Sequence, residues 1–164
     1  MTSFPLRMRS QVVRGFGRGS RELGIPTANL CREDIGEEFF DGLETGIYYG
    51  WAGIEGTTKV YKAAVSIGYN PTYENKTKTC EPHLIADPSE ECRNKSSCGE
   101  TQMEDFYGAT LRLSIISKIR PELPFESVEK LITAIKNDIK VTEDKLSGDD
   151  EVAAAEKDWC RSKK

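Results

Sequence analysis

Histidine is almost missing from this 164-residue chain: it occurs once, at His83. With one imidazole and no Cys-x-x-Cys pair, the ligand spacing of a structural zinc site is absent. The five cysteines, Cys31, Cys80, Cys92, Cys98 and Cys160, are odd in number, so a disulfide framework cannot use all of them within one chain. Reduced thiols in a cytoplasmic compartment are expected. No apolar run approaches the roughly 20 residues that span a bilayer. Met1 to Ser10 carries Arg7 and Arg9 but no apolar segment, so a secretory signal is not expected either. The sequons at Asn75 and Asn94 would then meet no glycosylation machinery. Positive charge is also in short supply. Lys and Arg total 23 against 27 Asp and Glu, a net charge of -4, whereas broad electrostatic binders of nucleic acid are usually basic. What is present is enough for one core: 37% hydrophobic residues over a length that suits a single domain.

The first three-quarters reads as strands and turns. Gln11 to Arg14 is a short β-prone run. Gly46 to Ile54 (GIYYGWAGI) and Thr58 to Ile67 flank a Glu55-Gly56 turn and predict a hairpin. Cys80 to Ala86 is a further short strand. Thr110 to Ile119 alternates most clearly, with Leu111, Leu113 and Ile115 on one face and Arg112 and Ser114 on the other. Short strands without crossover helices predict a small antiparallel barrel. From Phe125 to Leu146 the period changes. Val128, Leu131, Ile132, Ile135 and Ile139 form one helical stripe, a docking face for the barrel, with Pro124 near the first turn and Ser147-Gly148 at the end. Residues 87–102 (DPSEECRNKSSCGETQ) read as an inserted surface loop. The tail, 149–164, predicts either a short helix with Trp159 packed on the body or a frayed end. Tyr48, Tyr49 and Trp51 read as packing, and His83 as a satisfied strand residue.

Gly15 to Asn29 (GFGRGSRELGIPTAN) is the most informative stretch. Gly15, Gly17, Gly19 and Gly24 let backbone amides approach a ligand, and Arg18 and Arg21 add positive charge. Generic phosphate motifs fit badly: position 20 is Ser where a dinucleotide fingerprint needs Gly, and Ile25-Pro26 stands where a P-loop has Lys-Ser/Thr. On composition alone, a structural glycine turn and a nucleotide site are equally supported. Thr27 and Asn29 tip the balance, because in an extended segment they share a side and offer oxygen ligands suited to Mg²⁺ bound with nucleotide phosphates.

At these residues the sequence closely resembles the riboflavin kinase (flavokinase) family, in its short monofunctional form. The resemblance runs from about Ser10 to Leu146. It rests on GFGRGS-x-x-LGIPTAN, then TGIYYGWA at Thr45 to Ala52, VSIGYNPTY at Val65 to Tyr73, CEPHLI containing Glu81, DFYG at Asp105 to Gly108, and IRPE at Ile119 to Glu122. It implies a mainly β fold, a six-stranded antiparallel Greek-key barrel with a long C-terminal helix, spanning residues 1–148. It implies transfer of the ATP γ-phosphate to the ribityl 5'-hydroxyl of riboflavin, giving FMN and ADP, with Mg²⁺ as metal and Zn²⁺ as the second candidate. The implied roles are catalytic base for Glu81, metal ligation for Thr27 and Asn29, ATP binding for Gly15, Gly17, Gly19, Arg21, Thr27, Leu84 and Tyr107, and flavin binding for Arg120, Pro121, Glu122 and Phe125. Position 21 is commonly Lys in relatives; Arg21 keeps the charge in a planar fork. A carboxylate suits the base role because a protonated primary alcohol is a poor nucleophile. Absence of a nucleotidyltransferase half implies no FAD synthesis by this chain, and a monomer is expected.

Two other readings compete. A non-catalytic flavin or nucleotide sensor would use the same barrel, but it has no need of Glu81 beside Thr27 and Asn29. A barrel for single-stranded nucleic acid needs a basic track with stacking aromatics, which the dispersed Lys and Arg do not supply.

Overall fold

In the computed structural model, the described residues are 4–14, 28–30, 32–36, 38–39, 42–56, 60–69, 78–85, 93–96, 99–102, 109–121, 127–148 and 151–161. The elements are β1 (Leu6–Arg14), β2 (Ala28–Leu30), α1 (Arg32–Ile35), β3 (Gly46–Ile54), β4 (Val60–Tyr69), β5 (Lys78–Ile85), β6 (Arg93–Ser96), β7 (Gly99–Gln102), β8 (Thr110–Arg120), α2 (Val128–Leu146) and α3 (Glu151–Cys160). All strand pairings are antiparallel, in the order β2-β1-β8-β3-β4-β5-β7-β6.

Alternation decides what each face does. On the concave side Met8, Val12, Tyr48, Ala52, Ala63, Val65, Ile67, Cys80, Leu84, Leu111, Leu113 and Ile115 form one buried cluster. Each fully buried aliphatic side chain there contributes roughly 1.5–3 kcal/mol relative to exposure. On the convex side Trp51, Leu146, Ala153 and Cys160 form a second cluster, with Tyr49, Ile116 and Trp159 against it. The sheet is therefore buried on both faces over β3 and β8. β2 also lies beside β5, which brings the glycine-motif strand next to the strand bearing Glu81.

The structure sharpens several sequence expectations. β3 coincides with the expected Gly46–Ile54 strand, and the turn at Glu55 and Gly56 places Gly56 at φ +89°. β1 starts earlier, at Leu6, because Leu6 and Met8 continue the inward alternation and pair with Ile115 and Leu113. The long helix starts at Val128 instead of Phe125: Ser127 is extended and its side chain accepts from the Lys130 amide at 3.2 Å, so the hydroxyl sets the N-terminus. The segment read as a surface loop contains a hairpin, β6 with β7, tied to β5 through Ile85 and Thr101. A polar ladder of backbone bonds leaves no hydrophobic alternation to read. The tail is helical, with Ala153, Glu156 and Cys160 buried.

Candidate active site

Glu81 lies in the middle of β5, between two inward residues. Cys80 belongs to the concave core and Pro82 is buried, whereas Glu81 and His83 belong to the opposite, convex face and are half-buried. Leu84, read as a nucleotide contact, has its side chain in the concave core, so a ligand on the convex face meets that residue through its backbone. On the edge of β5 away from β4, the only ladder pairing among the described residues is Ile85 with Thr101.

Register places Glu81 in a row. Glu81 stands opposite Ser66 on β4, Ser66's neighbour Ile47 on β3 pairs with Ser66 in turn, and Ile47 stands opposite Arg120 at the end of β8. Directly opposed residues share a face. Two positions read as acting at opposite ends of the flavin thus lie on one transverse line, three strand spacings or roughly 14 Å of sheet apart. β2 also lies close to β5, and Asn29 lies on it, paired with Val13. The side chain of Asn29 and residues Gly15, Gly17, Gly19, Arg21, Thr27, Tyr107, Glu122 and Phe125 fall outside the described residues.

The electrostatics of the row differ end to end. Among the described residues no hydrogen bond or ion pair holds the Glu81 carboxylate, and burial raises its pKa above the ordinary value of 4.5. An ionised carboxylate in that setting is a stronger base than one in water. Arg120 is committed locally: its Nε donates to Asp138 Oδ1 at 3.0 Å and its Nη2 to Oδ2 at 2.9 Å. Asp138 projects from α2 and is 6% exposed at the side chain, against 21% for Arg120. Arg120 Nη1 also donates to the Pro121 carbonyl at 3.2 Å, while Pro121 itself is exposed. The fork therefore ties the end of β8 to the helix.

His83 departs from the expectation of a satisfied strand residue. Its Nε2 is shut off from solvent and has no hydrogen-bond partner among the described residues. Burial lowers its pKa to about 4, so the ring is neutral at physiological pH.

With this geometry in view, the comparisons carry weight. The sequence model of the family Flavokinase: Riboflavin kinase matches residues 2–146. The chain belongs to the riboflavin kinase family. A riboflavin kinase of Mus musculus is 45% identical over 146 residues, covering 89% of this chain and 84% of that protein. Among solved structures, riboflavin kinase from Trypanosoma brucei superposes with a TM-score of 0.64 at 27% identity, covering 91% of this chain and 84% of that one. A Streptococcus pneumoniae chain named macrolide-efflux protein gives a TM-score of 0.62 at 27% identity; the match covers 85% of this chain and 38% of that one.

In this riboflavin kinase family member α3 lies beyond the matched span, yet it is firmly attached. Glu156 accepts from Arg7 Nε and Nη2, both at 2.8 Å, and from Ser114 Oγ at 2.6 Å. Trp159 sits under the guanidinium groups of Arg7 and Arg112, 5.1 and 5.8 Å from the ring centre. These contacts brace β1 and β8 from behind and leave the Glu81 row untouched. Among the described residues no cluster of His, Cys, Asp and Glu could hold a metal ion, and no helix is long and apolar enough to cross a membrane.

Proposed function

We propose that this chain phosphorylates riboflavin, moving the ATP γ-phosphate onto the ribityl 5'-hydroxyl and releasing FMN and ADP. The observation that carries the site assignment is the row Arg120–Ile47–Ser66–Glu81, with β2 beside β5 at its far end. Laid along that row, the flavin ring lies toward Arg120, Pro121, Glu122 and Phe125, the ribityl chain crosses Ile47 and Ser66, and the 5'-oxygen reaches Glu81. The triphosphate then falls at the glycine-rich segment, Gly15, Gly17, Gly19 and Arg21, with Leu84 and Tyr107 on the adenine side.

Glu81 takes the hydroxyl proton as the new O–P bond forms and the bond from the γ-phosphorus to the β,γ-bridging oxygen breaks, leaving ADP. Such a base contributes typically ~10²–10⁴ in rate, and positioning supplies much of the rest. The hydroxyl of Thr27 and the carboxamide of Asn29 are hard oxygen donors that suit Mg²⁺ better than Zn²⁺. When bound, the metal neutralises phosphate charge.

The proximity of β2 to β5 supports closure of β2, β1, β8, β3, β4 and β5 into a six-stranded barrel, with β6 and β7 as an added hairpin. Cys80 and Cys160 are buried thiols outside any disulfide, which fits a reducing, cytoplasmic setting, and a monomer suffices for every role above. The test is chromatographic detection of FMN after mixing the purified chain with ATP and riboflavin, with and without Mg²⁺. FMN formed only with the metal supports the proposal; its absence in both sinks it.

A further inference from the structure

His83 is the one imidazole in the chain, and its Nε2 is buried without a partner among the described residues. A buried polar atom left unsatisfied costs stability. Nothing in the neighbouring row of the sheet relieves that cost: the residue opposite His83 on β4 is Ala64, and the one beyond it on β3 is Tyr49. Ala64 is itself buried and offers only a methyl group, so it supplies no partner to Nε2. His83 also lies two residues from Glu81 on the same convex face, roughly 7 Å along the strand. That is within reach of one small molecule whose end is held at Glu81.

We propose that His83 is a specificity-determining residue whose Nε2 hydrogen-bonds a hydroxyl of the polyol chain next to the hydroxyl that reacts. This rests on the assignment of Glu81 as the base. The chemistry favours a hydroxyl over a phosphate. The ring is neutral under working conditions, so it brings no charge to an anion. A hydroxyl both donates and accepts, so it satisfies Nε2 in either tautomer, whereas a phosphate oxygen satisfies only a protonated Nε2. The role explains why a buried group with no partner among the described residues is retained beside the base: its partner arrives with the substrate.

The single histidine makes the test direct. The intact chain labelled with ¹⁵N-histidine gives one imidazole spin system. Riboflavin should shift the Nε2 resonance, and lumiflavin, which carries a methyl group in place of the polyol, should not. His83→Leu should weaken riboflavin binding roughly ten- to a hundredfold, leave lumiflavin binding and the KM for ATP unchanged, and be largely rescued by His83→Gln. An equal shift with both flavins, a shift with ATP alone, or no shift at all overturns the assignment, and the wild-type measurement holds even if the Leu variant folds poorly. FMN formation by the wild-type chain separates the two failures. If FMN forms and Nε2 ignores the polyol, only the role of His83 falls; if none forms, the reading of Glu81 falls with it.

Discussion

Glu81 and Arg120 are 39 positions apart in the sequence, yet they share one transverse row of the sheet, joined through Ser66 and Ile47. One end of the row is a carboxylate with no partner among the described residues, and the other is a guanidinium clamped to a helix. The row is long enough to lay an extended substrate between a proton acceptor and an anchored loop start. That relationship sets the first predictions.

Glu81→Gln should lower turnover by ~10²–10⁴ while flavin binding persists. Gln matches the shape of Glu but cannot accept the proton. Fluorescence titration with riboflavin, alongside FMN formation by chromatography, separates the two effects. Unchanged turnover would remove Glu81 from the base role.

The pH dependence follows from burial. Because the folded-state pKa of Glu81 is raised, the active ionised form is lost on acidification at a pH above the ordinary 4.5, and the acid limb of kcat/KM should lie there. The stability consequence has the opposite sense to that of a salt-bridged carboxylate. The fold favours the protonated form, so Glu81 lowers stability as pH rises through its folded pKa. Glu81→Gln should therefore raise the thermal midpoint at neutral pH while reducing activity.

Arg120→Ala should destabilise the fold by about 3 kcal/mol, since it strands the buried Asp138 carboxylate without its fork. The double replacement Arg120→Met with Asp138→Leu should cost less than the single one, because no uncompensated charge remains. Urea unfolding of the wild type, the single variant and the double variant checks this. If the fork also anchors the flavin-covering segment, both variants will show a raised KM for riboflavin.

Gly53→Ala tests the attachment of α3. A Cβ at Gly53 would lie 1.9 Å from the Cys160 carbonyl oxygen, a backbone atom that cannot step aside alone. The helix must shift, at about 1–3 kcal/mol. Faster proteolysis after residue 148, with FMN formation retained, is the expected outcome.

Glu55 reports acid stability. Hydrogen bonds from Arg9 and Arg112 lower its pKa from 4.5 to about 2. A depressed carboxylate stabilises above its unfolded value and loses that contribution as pH falls from about 4.5 toward 2. Arg9 is largely exposed, so the effect should stay below about 1 kcal/mol and shrink with salt. The wild type and Glu55→Gln should differ in urea stability at pH 7 and converge near pH 2.

Much of this was legible in the residues. Strict alternation in Thr110 to Ile119 and the apolar run of Gly46 to Ile54 announce strands, because a half-buried strand must repeat every two residues. The isoleucine stripe before Leu146 announces a helix for the corresponding reason at 3.6. Glu81 was singled out by the motif around it. The hairpin β6–β7 was not legible, because its bonds are between backbone groups and its side chains carry no apolar pattern. β2 was hidden too, since three residues are too few to show a period.

The sequence by itself determined which chemistry the chain carries: a carboxylate for the proton, glycines and hydroxyl or amide oxygens for phosphates, and one imidazole. Only the tertiary structure decided which of these meet. Strand register aligned Glu81 with Arg120, the packing of β2 on β5 brought Ala28–Leu30 alongside, and burial with no partner among the described residues singled out His83. Those are properties of pairing between distant segments, and local residue patterns contain no term for them.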